Sequence, residues 1–102
     1  MSYSLLIDPG ARLDIVESIN WYNGQKPGLG RRYYNSVRLT MKQIKSNPFM
    51  FQQRYKNLRI VPVEKFPFIV LYLVDEEKKL VAVTAVLHTS RAPKIWDQRT
   101  FI

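Results

Sequence analysis

The sequence predicts an α+β fold in which an antiparallel three-stranded meander is covered on one face by a helical hairpin. Three observations lead there. Apolar residues recur at helical spacing from Ala11 to Ile44, interrupted by one tight Pro-Gly connection. From Leu58 to His88 the pattern changes to strand-like runs separated by turn residues. A short apolar, β-compatible segment, Tyr3 to Ile7, precedes both regions.

Each element follows from its residues. Asp8-Pro9 reads as a helix start, with Asp8 as cap and Pro9 in the first helical position. Ala11, Ile15, Val16, Ile19 and Tyr22 form the expected buried stripe, and Asn23-Gly24 the stop. After Gln25-Lys26-Pro27-Gly28, a second helix carries Leu29, Tyr33, Val37, Met41 and Ile44 on one side and ends at Asn47-Pro48. So short a link predicts an antiparallel hairpin. Phe49 to Lys56 is expected to be an irregular connection. Leu58 to Val63 is a strand weakened by Pro62, so it lies at an edge or ends early. Phe66 to Val74 is a near-continuous apolar run, expected to be a central strand buried on both faces. Asp75-Glu76-Glu77-Lys78-Lys79 is a turn, and Leu80 to His88 the return strand. The tail from Thr89 to Ile102 has room for a short helix. These residues leave the docking position of the first strand open.

At 102 residues the chain makes one domain, residues 1–102, large enough to bury roughly two-thirds of its unfolded surface. An apolar content of 46% with 13% aromatic residues excludes a disordered chain. With no cysteine and a single histidine, disulfides, thiolate zinc sites and histidine-rich metal sites are excluded, and no cofactor or metal is expected. Gly28-Leu29-Gly30 lacks the preceding strand and the spacing of a phosphate loop. The N-terminus lacks the features of a signal peptide, and no apolar run approaches a membrane span, so a soluble, cytoplasmic protein is expected. The net charge is +8 and uneven. Between Glu17 and Glu64 lie nine basic residues and no acidic one: Lys26, Arg31, Arg32, Arg38, Lys42, Lys45, Arg54, Lys56 and Arg59. Such a block favours an acidic protein partner or a nucleic acid over a merely solvated face.

The residues also carry a resemblance. Trp21-Tyr22, Pro27-Gly28-Leu29-Gly30 opening a basic helix, and Ile44 with Asn47-Pro48 look like the front half of a ParE/RelE-type toxin. Leu58-Arg59, Phe66-Pro67-Phe68 with Ile69 and Tyr72, and Ala85-Val86-Leu87-His88 with Arg91, Pro93 and Trp96 resemble the family's strand core and C-terminal site. The match spans roughly residues 5 to 99. The order, spacing and chain length carry it together, rather than any single motif. The resemblance implies a four-stranded sheet and a growth-inhibiting toxin of a type II toxin–antitoxin system, of the plasmid-stabilisation type. Such a toxin is neutralised in a hetero-oligomer by an acidic antitoxin that wraps it. RelE-like members cut messenger RNA on the ribosome, whereas ParE-like members poison DNA gyrase and have no nuclease chemistry attributed to them.

Cleavage by 2′-OH attack needs a base, an acid and cations facing the phosphorus. The candidates are His88, Arg91 and Arg59, catalytic only if the chain is a nuclease. His88 ends a strand, carries an imidazole that can serve as base or acid and by alternation shares a face with Val86, Thr84, Ala82 and Leu80. Its alternative role is to fix the path of the tail. Arg59 and Arg91 suit a phosphate fork, or else pair with Asp97, Glu64 or a carbonyl. Arg54, Lys56, Arg31, Arg38, Lys42 and Trp96 are candidates for binding nucleic acid or partner. Trp96 departs from the nuclease pattern, whose sites resemble one another in using a C-terminal tyrosine, because an indole cannot serve as a general acid. It stacks on a base or caps the sheet as core. Tyr72 is expected to be packed, with its hydroxyl on a partner. Three readings follow: a ParE-like gyrase inhibitor, slightly favoured; a RelE-like ribosome-dependent endoribonuclease; and an inactive relative that binds only the antitoxin. The chain is an enzyme only in the second.

Overall fold

The structure, a computed structural model, describes residues 3–90 apart from the side chain of Tyr55. Seven elements follow in order: β1 (Ser4–Ile7), α1 (Pro9–Gln25), α2 (Leu29–Ser46), β2 (Gln53–Tyr55), β3 (Leu58–Pro62), β4 (Phe68–Asp75) and β5 (Leu80–His88). They form one mixed sheet in the order β1-β5-β4-β3-β2, with α1 packed on β5 and on α2. The expected short helix in the tail, and with it Arg91 and Trp96, lies outside the described residues.

The sheet has five strands rather than four. The extra one, β2, forms within the segment expected to be irregular, through the pairs Gln53↔Arg59 and Tyr55↔Leu58. Its turn is closed by Lys56, whose φ of 53° is left-handed without being glycine. The polar Gln52-Gln53-Arg54 stretch and a lysine at the turn give no hairpin signal in the sequence. β1 docks parallel to β5, from Ser4↔Leu80 to Ile7↔Val83, so the first and last described strands lie side by side. The central strand is β4. It starts at Phe68 rather than Phe66, because the chain reverses through Lys65 (φ 71°) and Pro67 has no amide to donate to a ladder.

The two helices bury different fractions of their surface. Tyr33, Val37, Met41 and Ile44 of α2 are buried as expected, and its other face is polar. On α1 only Ala11 and Ile15 are fully buried, with Ile19 and Tyr22 packed partly against them. Val16, expected in the stripe, is 52% exposed, as are Leu13 and Trp21 at 57% and 61%. The helix also runs past Asn23-Gly24 to Gln25, and the Asp8 side chain makes no capping bond.

Asn23 has a different role from the expected stop. Its Oδ1 accepts the Gly30 amide at 2.9 Å, satisfying one of the open donors at the start of α2. Gly28, at φ 88°, provides the left-handed turn that brings the chain there. Gly30 is where the helices touch: a Cβ on it would lie 2.5 Å from the Ile19 carbonyl oxygen.

Between hairpin and sheet, Tyr22, Tyr33, Phe66 and Phe68 form an aromatic cluster with centroids 5.0 to 6.1 Å apart. Tyr33 is fully buried and its hydroxyl has no hydrogen-bond partner among the described residues. Burial pushes its pKa up to about 12, and Ser18 beside it opposes the shift in part. The opposite face of the sheet holds a second cluster of Leu58, Leu71, Ala85 and Leu87, bordered by Ile60, Ile69 and Leu73.

Two outcomes are expected in denaturant and alkali. Gly30→Ala should cost about 1–3 kcal/mol in urea unfolding, because the helices must separate. Gly24→Ala, with nothing within 4 Å of the new Cβ, should add about 0.4–1 kcal/mol. The Tyr33 pKa is raised on folding, so the unfolded chain releases this proton first. Its contribution is intact below pH 10 and lost as pH rises toward 12, with a slope approaching about 1.4 kcal/mol per pH unit. Unfolding of Tyr33→Phe should lack that part of the alkaline slope.

Candidate functional site

The site is built where β5 outruns β1. The β4–β5 register passes from Leu71↔Ala85 to Tyr72↔Val83, leaving Thr84 as the extra residue of a bulge. The Thr84 hydroxyl donates back to the Leu71 carbonyl at 3.3 Å. The bulge shifts the alternation by one. Val81 and Val83 face the helices before it and Val86 after it, while Ala85 and Leu87 join the opposite cluster. His88 therefore shares its face with Val86, Val83 and Val81. The expectation that it shares a face with Thr84, Ala82 and Leu80 is corrected, because unbroken alternation does not hold across a bulge.

Beyond Ile7 no described strand covers this edge of β5. The Val86 amide, which points out of the sheet there, donates instead to Asp14 Oδ2 on α1 at 3.1 Å. Between α1 and the ends of β4 and β5 lies a groove of about 510 Å³. Asp14, Glu17, Ser18, Trp21 and Tyr22 line its helical side, and Phe68, Val86 and His88 its floor. Trp21 meets Tyr22 edge to face at 5.1 Å, and the His88 ring meets Phe68 the same way at 5.3 Å.

His88 is held by its own turn. Its Nδ1 accepts the Ser90 amide at 3.1 Å and lies 2.9 Å from the Ser90 hydroxyl. A backbone N–H only donates, so the neutral ring carries its proton on Nε2. In that tautomer the remaining nitrogen is a donor and has no lone pair for a 2′-OH proton.

Arg59 is likewise engaged. Its Nη1 donates to the Phe51 carbonyl at 2.6 Å, its guanidinium stacks 5.1 Å over the Phe49 ring, and its Nε is buried without a partner among the described residues. Next to it the Tyr72 hydroxyl donates to the Pro48 carbonyl at 2.7 Å, in keeping with the packed tyrosine expected from the sequence. Burial raises the Tyr72 pKa, and Arg59 opposes the shift. Arg59 and Tyr72 thus tie the α2–β2 connection to the sheet from below. Arg59 pairs with Tyr72 and His88 with Phe68, on opposite sides of β4. Four residues along and two strands across place them roughly 16 Å apart.

Arg31, Arg38 and Lys42 are exposed on α2, with Lys45 continuing the same stripe at helical spacing and Arg38 lying 5.9 Å over Tyr34. Arg54 is exposed on β2 and Lys56 in the turn after it. Neither belongs to the groove. Among the described residues no group of acidic and histidine side chains could hold a metal ion, and no helix is long and apolar enough to cross a membrane. Asp14, Glu17 and Trp21 are not among the site residues expected from the sequence. The available signal is a surplus of apolar residues on α1, Leu13, Val16 and Trp21 among them, more than one buried stripe can hold.

The family model of the ParE toxin of type II toxin–antitoxin systems (parDE) matches residues 5–93. Among solved structures, the chain resembles one of a chromosomal ParDE system from P. aeruginosa. The TM-score is 0.74 at 16% identity, covering 84% of this chain and 95% of that one. It also resembles a mutant of the E. coli toxin RelE in the free state, with TM-score 0.65 at 14% identity, covering 99% and 97%. A third is the RelBE2 toxin–antitoxin complex of Mycobacterium tuberculosis, with TM-score 0.61 at 15% identity, covering 86% and 92%. No curated protein matches the sequence. At these identities the structures show a shared fold.

The Asp14–Val86 bond generates a prediction. Asp14→Ala leaves a strand amide without its acceptor and should cost about 1–3 kcal/mol. It should also speed hydrogen exchange at Val86 well beyond exchange at Val83. Asp14→Asn keeps an oxygen acceptor and should recover most of that protection.

Proposed function

The chain belongs to the ParE toxin family of type II toxin–antitoxin systems, and on that premise we propose that it is a gyrase-directed toxin acting by protein–protein contact. The observation that carries this reading is the state of the nuclease candidates. His88 commits Nδ1 to Ser90. Arg59 commits its guanidinium to the Phe51 carbonyl. The two stand far apart in the sheet, so they do not face one scissile phosphate. His88 then serves as a turn-fixing residue and Arg59 as the anchor of the α2–β2 connection.

The surface suits binding. Leu13, Val16 and Trp21 on α1 and Tyr34 and Leu39 on α2 are exposed. Beside Tyr34 and Leu39 runs the Arg31, Arg38, Lys42 and Lys45 stripe of α2, with Arg38 over the Tyr34 ring. Apolar anchors rimmed by one sign of charge favour a macromolecular partner of the other sign. An acidic antitoxin in a hetero-oligomer fits that surface, and the ParDE and RelBE2 structures come from toxin–antitoxin systems. The cell-level reading is a cytoplasmic growth inhibitor.

The test is induction of the chain from a tight promoter, following amino-acid incorporation and plasmid supercoiling within minutes. Continued protein synthesis with lost supercoiling and filamentous cells is the expected result, and His88→Ala should remain as toxic as the parent chain. A prompt collapse of protein synthesis that His88→Ala abolishes would replace this reading with the RelE-like endoribonuclease. Normal growth under induction would leave an antitoxin-binding relative without toxicity.

A further inference from the structure

We infer that the groove between α1 and β5 is a receptor for a lysine or arginine side chain presented on an extended segment of a partner protein. The inference concerns what the groove recognises, and it holds whichever cellular target the chain acts on.

Charge is the first argument. The chain carries +8 overall, yet this groove holds two of its few carboxylates, Asp14 and Glu17, one turn apart on α1. Asp14 is already bonded to the Val86 amide, so the charge turned to a ligand is that of Glu17, an exposed residue. The helix positions one turn from Glu17 are Leu13, Asp14, Asn20 and Trp21, so no cation of α1 neutralises it at that spacing.

Aromatic surface is the second. Trp21 stands next to Glu17 on the groove wall with 61% of its surface open. Tyr22 and Phe68 continue the wall inward. An aromatic face beside a carboxylate favours a cation over either an anion or a plain apolar group, because ring and carboxylate both attract positive charge. A guanidinium or ammonium on an aliphatic stem also suits the apolar walls, which take the stem while the head reaches Glu17.

The strand edge is the third. After Val83 the β1-side edge of β5 has no strand beside it among the described residues. The Thr89 amide bonds to Pro67 on the β4 side. By alternation the His88 amide and carbonyl point outward, as the Val86 amide does. An extended segment laid along this edge gains backbone bonds there and projects alternate side chains toward the groove. The site therefore selects a strand-like peptide carrying a basic residue.

The experiment uses the purified full chain, the peptide acetyl-Leu-Arg-Leu-amide and its Gln and Glu counterparts. Binding is followed by NMR at the Trp21 indole N–H and the His88 backbone amide. The expected result is saturable shifts at both positions with the Arg peptide, and binding weaker by about tenfold with the Gln peptide. Binding of the Glu peptide should be undetectable. Glu17→Gln and Trp21→Ala change exposed side chains, so the fold should persist, and each should weaken the Arg peptide about fivefold or more. The inference is overturned if the Gln or Glu peptide binds as tightly as the Arg peptide. It is equally overturned if Glu17→Gln leaves the affinity unchanged, or if no saturable shift appears at millimolar peptide.

Discussion

The structure turns on how β5 is held after β1 ends. A strand in the middle of a sheet needs partners for its amides on both sides, and among the described residues β5 has strand partners on both sides only from Leu80 to Val83. Past that point one side would be left with buried or half-buried donors, at a cost comparable to a lost hydrogen bond each. Asp14 answers this by reaching from α1 to the Val86 amide. That bond ties α1 to the strand end, alongside the burial of Ala11 and Ile15 in the core. Together they set which side of α1 faces the sheet and which side remains outside.

The bulge at Thr84 works with it. Without the extra residue, Val86 would turn to the far face and Ala85 to the helices, leaving a gap under α1 where a valine now packs. With it, β5 presents Val81, Val83 and Val86 to one core and Ala85 and Leu87 to the other. The same phase shift puts His88 on the helix side, against Phe68. One irregularity thus completes the main core and forms the floor of the groove.

Much of the fold is legible in the sequence because it rests on periodicity. The α2 stripe and the turn from Asp75 to Lys79 follow from patterns that tertiary contacts do not override. The limits of β5, Leu80 to His88, are those the residue pattern indicates. What stays hidden has specific causes. β2 is polar, and its turn uses a lysine with left-handed backbone, so neither apolar alternation nor a glycine marks it. β1 pairs with a strand more than 70 positions away, a long-range contact with no local signature. The expected α1 stripe has too many members, because a helix with apolar residues on several sides does not disclose which side is buried. The phase of His88 escapes simple alternation because a bulge resets it and Thr84 is an ordinary strand residue. For the site, residue types point to His88 and Arg59. Whether either is free to act depends on the Ser90 amide and the Phe51 carbonyl, backbone groups that no motif encodes.

The same contrast bears on how such a surface is engaged. The cations of α2 lie on its solvent side, away from Tyr33, Val37 and Ile44. The carboxylate groove opens at the other helix, against the end of β5. The two have opposite preferences and do not share a wall. A single rigid helix of uniform charge would satisfy one and be repelled by the other. A partner that engages both must change its charge along its length and bend around the hairpin between them. An extended chain does this at low strain, though it must be ordered on binding, and that entropy is offset by the large area it covers. The geometry therefore favours a wrapping partner over a compact one, and it does so from the placement of charge on two helices alone.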